Sequence, residues 1–161
     1  MQIIEILKKR NLISNSLIKS IVGFMAKWDV DAYRAVVETH IIEESRLADI
    51  LSDEFKLTRV ARLRSRPVDL KALEFLSYAS AVATDILPYA IDQDGRLQVA
   101  IADPSRSECI KKLEERYGRP LVLHVAERSE IQSSIQRHYP LSMQLPNTIS
   151  SSMENGCDST T

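Results

Sequence analysis

Two short apolar runs joined by a polar turn constrain this chain's fold more than any other feature. Residues 86–91 read Ile-Leu-Pro-Tyr-Ala-Ile, Asp92-Gln93-Asp94-Gly95 follow, and 97–102 read Leu-Gln-Val-Ala-Ile-Ala. Leu97, Val99 and Ile101 alternate, which puts them on one face of a strand. The four polar residues between the runs predict a hairpin turn, with Gly95 supplying a positive φ. Asp103-Pro104-Ser105 ends the second strand abruptly and starts a helix that carries Ile110, Leu113 and Tyr117 and stops at Gly118. Residues 120–125 predict a third strand, and Ser129 caps a closing helix with Ile131, Ile135 and Tyr139. Upstream, 60–63 predicts a short strand ended by Pro67. Asp69 caps a helix through Leu70, Leu73 and Leu76, and 77–84 is a helix of small residues. The order β-α-α-β-β-α-β-α over residues 56–139 predicts a small sandwich-like subdomain, a mixed sheet with helices on one or both faces.

The first 55 residues have a different period. Ile3, Ile6 and Leu7 mark a first helix, and Asn11 interrupts before Leu12-Ile13. Ser14 caps a second helix with Leu17, Ile18, Ile21, Val22 and Met25 on its inward side. Asp29 or Asp31 caps a third helix carrying Tyr33, Val36 and Val37. His40 then interrupts before Ile41-Ile42, and a fourth helix brings Leu47, Ile50 and Leu51 inward. The second half repeats the first 29 residues on: Asn11 matches His40, Leu12-Ile13 match Ile41-Ile42, Ile18 matches Leu47 and Ile21 matches Ile50. Two helix–turn–helix units of this kind pack into a four-helix cluster, because neither buries its stripe alone. The fold class is therefore α+β: a helical repeat over 1–55, an α/β subdomain over 56–139, and a Ser/Thr/Asn-rich tail over 140–161 read as disordered.

Composition excludes several functions. A net charge of -1 argues against a dedicated nucleic-acid binder. No stretch is long and apolar enough to span a bilayer, and the N-terminus lacks the pattern of a signal peptide. The expected location is the cytoplasm. Cys109 and Cys157 are far apart and lack metal-site spacing, and His40, His124 and His138 are scattered, so no metal site is expected. The four glycines never form G-x-x-x-x-G-K-[ST], so no phosphate cradle for ATP is present. Asp103 has no base, nucleophile or metal partner to make it catalytic. Tyr89, Tyr117 and Tyr139 read as core or rim aromatics.

The Leu87-Pro88 pair after a small-residue helix, followed by Leu97-Gln98-Val99-Ala100-Ile101-Ala102-Asp103-Pro104, resembles the N-terminal domain of the type II secretion and type IV pilus assembly ATPases. Leu12-Ile13 with Leu17, Leu47-Ala48, and Ile131 with Ile135 and Tyr139 agree with it, so the resemblance covers residues 3–139. It implies a region that precedes the nucleotide-binding domains of a hexameric cytoplasmic motor. It also implies docking on the cytoplasmic part of an inner-membrane component, so that the protein is peripheral to that membrane only through its partner. On this reading the domain is a non-catalytic adaptor without cofactor. Its candidate contact residues are Leu12, Ile13, Ile41 and Ile42 in the short turns, Trp28 between two helices, and Arg62, Arg64 and Arg66. Trp28 is expected to anchor packing, or to act as a binding hot spot if partly exposed. The three arginines alternate and would share one face of a strand, either as a solvated edge or as a surface for an acidic partner.

Two alternatives belong to other classes. One is a free-standing regulatory relative of the ATPase. The other is a cyclic dinucleotide sensor. Some members of the wider family bind cyclic di-GMP through a repeated helical motif that starts Arg-Leu-Gly, has a Gly before its apolar pair and ends in Gln. Here Gln2, Ile3 and Ile4 stand at the first of these positions, Asn11 replaces the Gly and Met25 the Gln. In the second copy Asp31, Ala32, Tyr33, His40 and Glu54 occupy them. The arginine that would pair with phosphate is missing from both copies, as are the glycines that let backbone approach a ligand.

Overall fold

A computed structural model describes residues 2–144, and within them the chain is α+β, with nine α-helices and one four-stranded sheet. It divides into two compact units, residues 1–50 and 51–161.

In the first unit, α1 (Gln2–Lys9) buries Ile3, Ile4, Ile6 and Leu7. The chain then turns at Asn11, which holds a left-handed φ of 57°. The Ser14 hydroxyl accepts from the Leu17 N–H at 3.3 Å and starts α2 (Asn15–Trp28). Asp29, at φ 51°, closes α2 by donating its N–H to the Met25 carbonyl. The Asp31 carboxylate accepts from the Arg34 N–H at 2.8 Å and starts α3 (Ala32–Glu38). His40 repeats the left-handed turn at φ 55° before α4 (Glu44–Glu54), inside which the division between the units falls.

The repeat is present in the backbone hydrogen bonds. Arg10 N–H to Ile6 C=O, Asn11 to Lys8 and Ile18 to Ser14 recur 29 residues on as Thr39 to Ala35, His40 to Val37 and Leu47 to Glu43, all between 2.9 and 3.1 Å. Packing departs from expectation on α2. Of the five residues expected inward, only Ile21 is buried; Ile18 and Met25 are half-buried, and Leu17 and Val22 are exposed. At 100° per residue the apolar arc from Phe24 round to Val22 spans about 160°, wider than the contact α2 makes with α3 can cover. Trp28, the last residue of α2, is 58% exposed and so does not anchor packing.

The second unit holds a sheet in the order β1-β4-β3-β2. β2 (Ile86–Ile91) and β3 (Leu97–Ile101) form the expected antiparallel hairpin, with Gly95 at φ 76°. From β3, α7 (Ser107–Tyr117) crosses over to β4 (Val122–Val125), which pairs parallel with β3, and β1 (Thr58–Arg59) pairs parallel with β4. Leu97, Val99 and Ile101 pack with Ile86, Ala72, Cys109 and Leu113 on one face. Ala100, of opposite pleat, is equally buried, and α8 (Arg128–His138) packs on β2 and β3. Between β1 and β2 lie a 3-10 turn (Leu63–Ser65), α5 (Leu70–Leu73) and α6 (Tyr78–Thr84), started by Asp69 and Ser77 through side-chain caps. Short α9 (Leu141–Gln144) occupies the start of the expected tail; the rest of that segment, with Cys157, lies outside the described residues.

Three local expectations are corrected. The strand expected over 60–63 sits earlier, at Thr58–Arg59. Arg62 adopts a left-handed φ of 55°, which breaks the extended chain and turns it into the 3-10 element that buries Leu63. Asp103 does not cap α7: its carboxylate accepts from the N–H and hydroxyl of Ser105, so it builds the turn before the helix, which begins at Ser107. Ser129 lies inside α8, whose N-cap position is Glu127.

Candidate docking surfaces

The two left-handed turns of the repeat line one open cleft in the first unit, formed by Asn11, Leu12, His40, Ile41, Ile42, Glu43 and Arg46, with a volume of about 570 Å³. Each turn offers one half-buried apolar side chain, Leu12 and Ile41, while Ile13 and Ile42 are buried beneath. Of the two apolar pairs expected at a contact surface, the second member of each supports the turn and the first remains accessible. The positive φ at Asn11 and His40 gives a reason why a glycine suits this place in the repeat.

A second surface runs along α2. Leu17, Phe24 and Trp28 are spaced seven and four residues apart, so they share a helix edge. Leu17 is 37% exposed and Phe24 half-buried, and the Phe24 and Trp28 rings lie 6.2 Å apart. The Lys27 ammonium sits 5.3 Å from the Trp28 ring centroid, a cation–π contact. The helix contains Lys19 and Lys27 and no carboxylate.

The third surface is the basic segment of the second unit. Arg62, Arg64 and Arg66 do not share a strand face, because the segment is a 3-10 turn. Glu130 of α8 ties it down: one carboxylate oxygen accepts from Arg64 Nε at 2.9 Å and the other from the Arg64 backbone N–H at 3.1 Å. Arg137 Nη1 donates to the Arg64 carbonyl at 3.3 Å.

Sequence reasoning missed the polar node that joins α6 to α8. Asp85 closes α6 in a left-handed conformation at φ 55°, and its carboxylate accepts from Arg128 Nε at 2.8 Å and from the Gln132 amide. Burial raises its pKa above the usual carboxylate value, against the lowering pull of Arg128, Gln132 and Arg106. An Asp at the end of a small-residue helix, before a strand, was the available signal. His124 bonds the Tyr89 hydroxyl at 2.9 Å; burial first, then Arg66, lowers its pKa. These groups link elements of the fold. Among the described residues no His, Cys, Asp or Glu cluster has the arrangement of a metal site, and no helix is long and apolar enough to cross a membrane.

Comparison with known proteins agrees with this architecture. A family model described as MshEN domain matches residues 55–145. The solved N-terminal domain of XpsE is 26% identical, with a TM-score of 0.68 over 86% of this chain and 94% of that one. A second crystal form of the same domain gives 0.59 at the same identity, over 86% and 95%. The structure of MshE with cdg gives a TM-score of 0.65 over 84% and 96%, and at 16% identity it speaks for the fold alone. No curated protein matches the chain.

Proposed function

From the premise that the chain belongs to the MshEN domain family, whose model covers more than half of it, we propose that it is a non-catalytic adaptor domain of a type II secretion or type IV pilus assembly ATPase. It docks the motor on the cytoplasmic part of an inner-membrane platform component. The observation that carries this reading is the exposed apolar edge of α2. An exposed tryptophan and leucine flanking a half-buried phenylalanine on one helix edge mark an interaction site, and aromatic side chains are the usual anchors of such sites. Leu12 and Ile41 in the cleft add a second apolar contact in the same unit. The similarity to the XpsE N-terminal domain and the lack of a phosphate-binding motif in the sequence agree with a role outside ATP hydrolysis.

The cyclic dinucleotide reading has a cleft in the right part of the repeat but little chemistry to match it. Arg46 is its only arginine or lysine, and Glu43 stands in the same lining.

Trp28 is the single tryptophan of the chain, so its fluorescence reports directly on this edge. Titration with a purified, lipid-free cytoplasmic domain of the platform component is expected to shift its emission to the blue. Leu17→Asp and Ile41→Asp, followed by calorimetry, are each expected to weaken binding by about tenfold or more, the loss typical of a contact residue near an interface centre. Unchanged emission and unchanged affinity in both variants would rule out docking through this unit.

A further inference from the structure

The basic segment of the second unit has features that a solvated charge run does not need. Arg62, Arg66 and Arg137 are exposed, and none makes an ion pair with a carboxylate among the described residues. Arg64 keeps its side chain half in solvent although Glu130 holds it. The display is rigid. A 3-10 turn fixes Leu63–Ser65, the buried Leu63 pins it from below, and Glu130 grips both the backbone and the guanidinium of Arg64. Arg137 is brought to the same place by its bond to the Arg64 carbonyl. Arg62 holds its left-handed φ of 55° without a glycine, and a non-glycine residue in that region is strained.

We infer that Arg62, Arg64, Arg66 and Arg137 form a preorganised docking site for an acidic peptide segment of a partner protein. Guanidinium forks match carboxylates bidentately, and a rigid turn avoids the entropy that flexible arginines lose on binding. The residues interleaved with the arginines choose among polyanions. Ala61, buried Leu63 and Ser65 offer no exposed aromatic ring on which nucleic-acid bases could stack. They also offer no large exposed apolar side chain to enter a lipid interface. Carboxylates on a peptide are the anions that remain. This site deepens the adaptor reading, whose candidate contacts include Arg62, Arg64 and Arg66, but it uses neither the α2 edge nor the cleft, so docking through the first unit and docking through the arginines can fail separately.

The test is binding of the full chain to an oligo-glutamate peptide, followed by fluorescence anisotropy. Single-stranded DNA and phosphatidylglycerol vesicles serve as competing polyanions. Salt-sensitive binding to oligo-glutamate is expected, and Arg62→Glu with Arg66→Glu should weaken it at least about tenfold. Lys111→Glu, an exposed charge reversal on α7, should leave it unchanged. Glu130→Gln removes a negative charge, yet it should weaken binding several-fold because the turn loses its tether. Four results would overturn the proposal: equal binding by the Arg62/Arg66 variant, an equal loss in Lys111→Glu, tighter binding by Glu130→Gln, or a preference for DNA or vesicles over the peptide.

Discussion

The two copies of the helical repeat share a backbone and differ in almost everything attached to it. Their turns place a left-handed residue at the matching position, Asn11 and His40, and their helices start at corresponding positions, Asn15 and Glu44. Yet residues 2–28 carry five basic side chains against one acidic, while 29–50 carry two basic against six acidic. Corresponding side chains also meet opposite fates. Ile18 is half-buried where Leu47 is buried, Lys19 is exposed where Ala48 is buried, and Val22 is 41% exposed where Leu51 is fully buried. Backbone periodicity sets where a helix begins and turns. It does not set which apolar face finds cover. The first copy keeps an apolar helix edge in water, and the second covers the corresponding positions.

That contrast can be broken most forcefully at the matched pair Ile18 and Leu47. Leu47 is fully buried, so Leu47→Ala removes transfer energy and leaves a cavity, an expected loss of about 3 kcal/mol in urea denaturation. Ile18→Ala, at the corresponding half-buried position, is expected to lose no more than about 1 kcal/mol. Equal losses would mean that the first copy is packed as tightly as the second, and the apolar edge of α2 would no longer mark a free surface.

The next effect separates a left-handed residue used for its side chain from one that is not. Asp85 holds the same backbone conformation as Asn11 and His40, but its carboxylate receives Arg128 and Gln132. Asp85→Gly relieves the backbone and removes the acceptor, for an expected net loss of about 2 kcal/mol at neutral pH. Asp85→Asn keeps an acceptor oxygen and isolates the charge. Because burial raises the folded-state pKa above the unfolded one, the protonated group contributes stability below the ordinary carboxylate pKa, and that contribution is lost as pH rises through the raised value. The wild type should therefore lose stability relative to Asp85→Asn over that acid range and then hold a constant difference. A pH series of denaturation midpoints checks this; a wild type that gains on Asp85→Asn with rising pH would show that Arg128 outweighs burial.

How far each feature could be read from sequence follows from the same distinction between local and distant causes. Period, capping residues and the hairpin turn are local, so the repeat, the Ser14 and Asp69 caps and the β2–β3 hairpin were legible. The arginine alternation at 62, 64 and 66 imitated a strand because side-chain spacing carries no information about Arg62's φ. Its left-handed turn follows from burying Leu63 under a segment tied to Glu130, 66 residues away. The Asp85 node joins residues 43 and 47 apart, and no periodic signal connects them. Trp28 carries two readings in the sequence, packing anchor or exposed contact, for a related reason: an apolar residue at a helix end looks the same whether or not a neighbour covers it, and its exposure removes only the first. Of the candidate site, residue type alone pointed to the turns and the arginines, while α2's open edge is visible only in the burial pattern.

The smallest effect is the sharpest test of whether the two turns are equivalent. A left-handed φ costs an ordinary L-residue about 1–2 kcal/mol, and asparagine less, because its short polar side chain tolerates the region. Glycine escapes that cost but loses about 0.5–1 kcal/mol more backbone entropy on folding. At His40, φ 55°, the first quantity exceeds the second, so His40→Gly should stabilise by about 0.5 kcal/mol. At Asn11, φ 57°, the two nearly cancel, and Asn11→Gly should be neutral within error. Both side chains are exposed and line the cleft, so neither substitution opens a core cavity that would mask the backbone effect. If His40→Gly destabilises while Asn11→Gly does not, the imidazole itself holds the second turn, and the backbone equivalence of the copies conceals a side-chain contact that only the acidic copy makes.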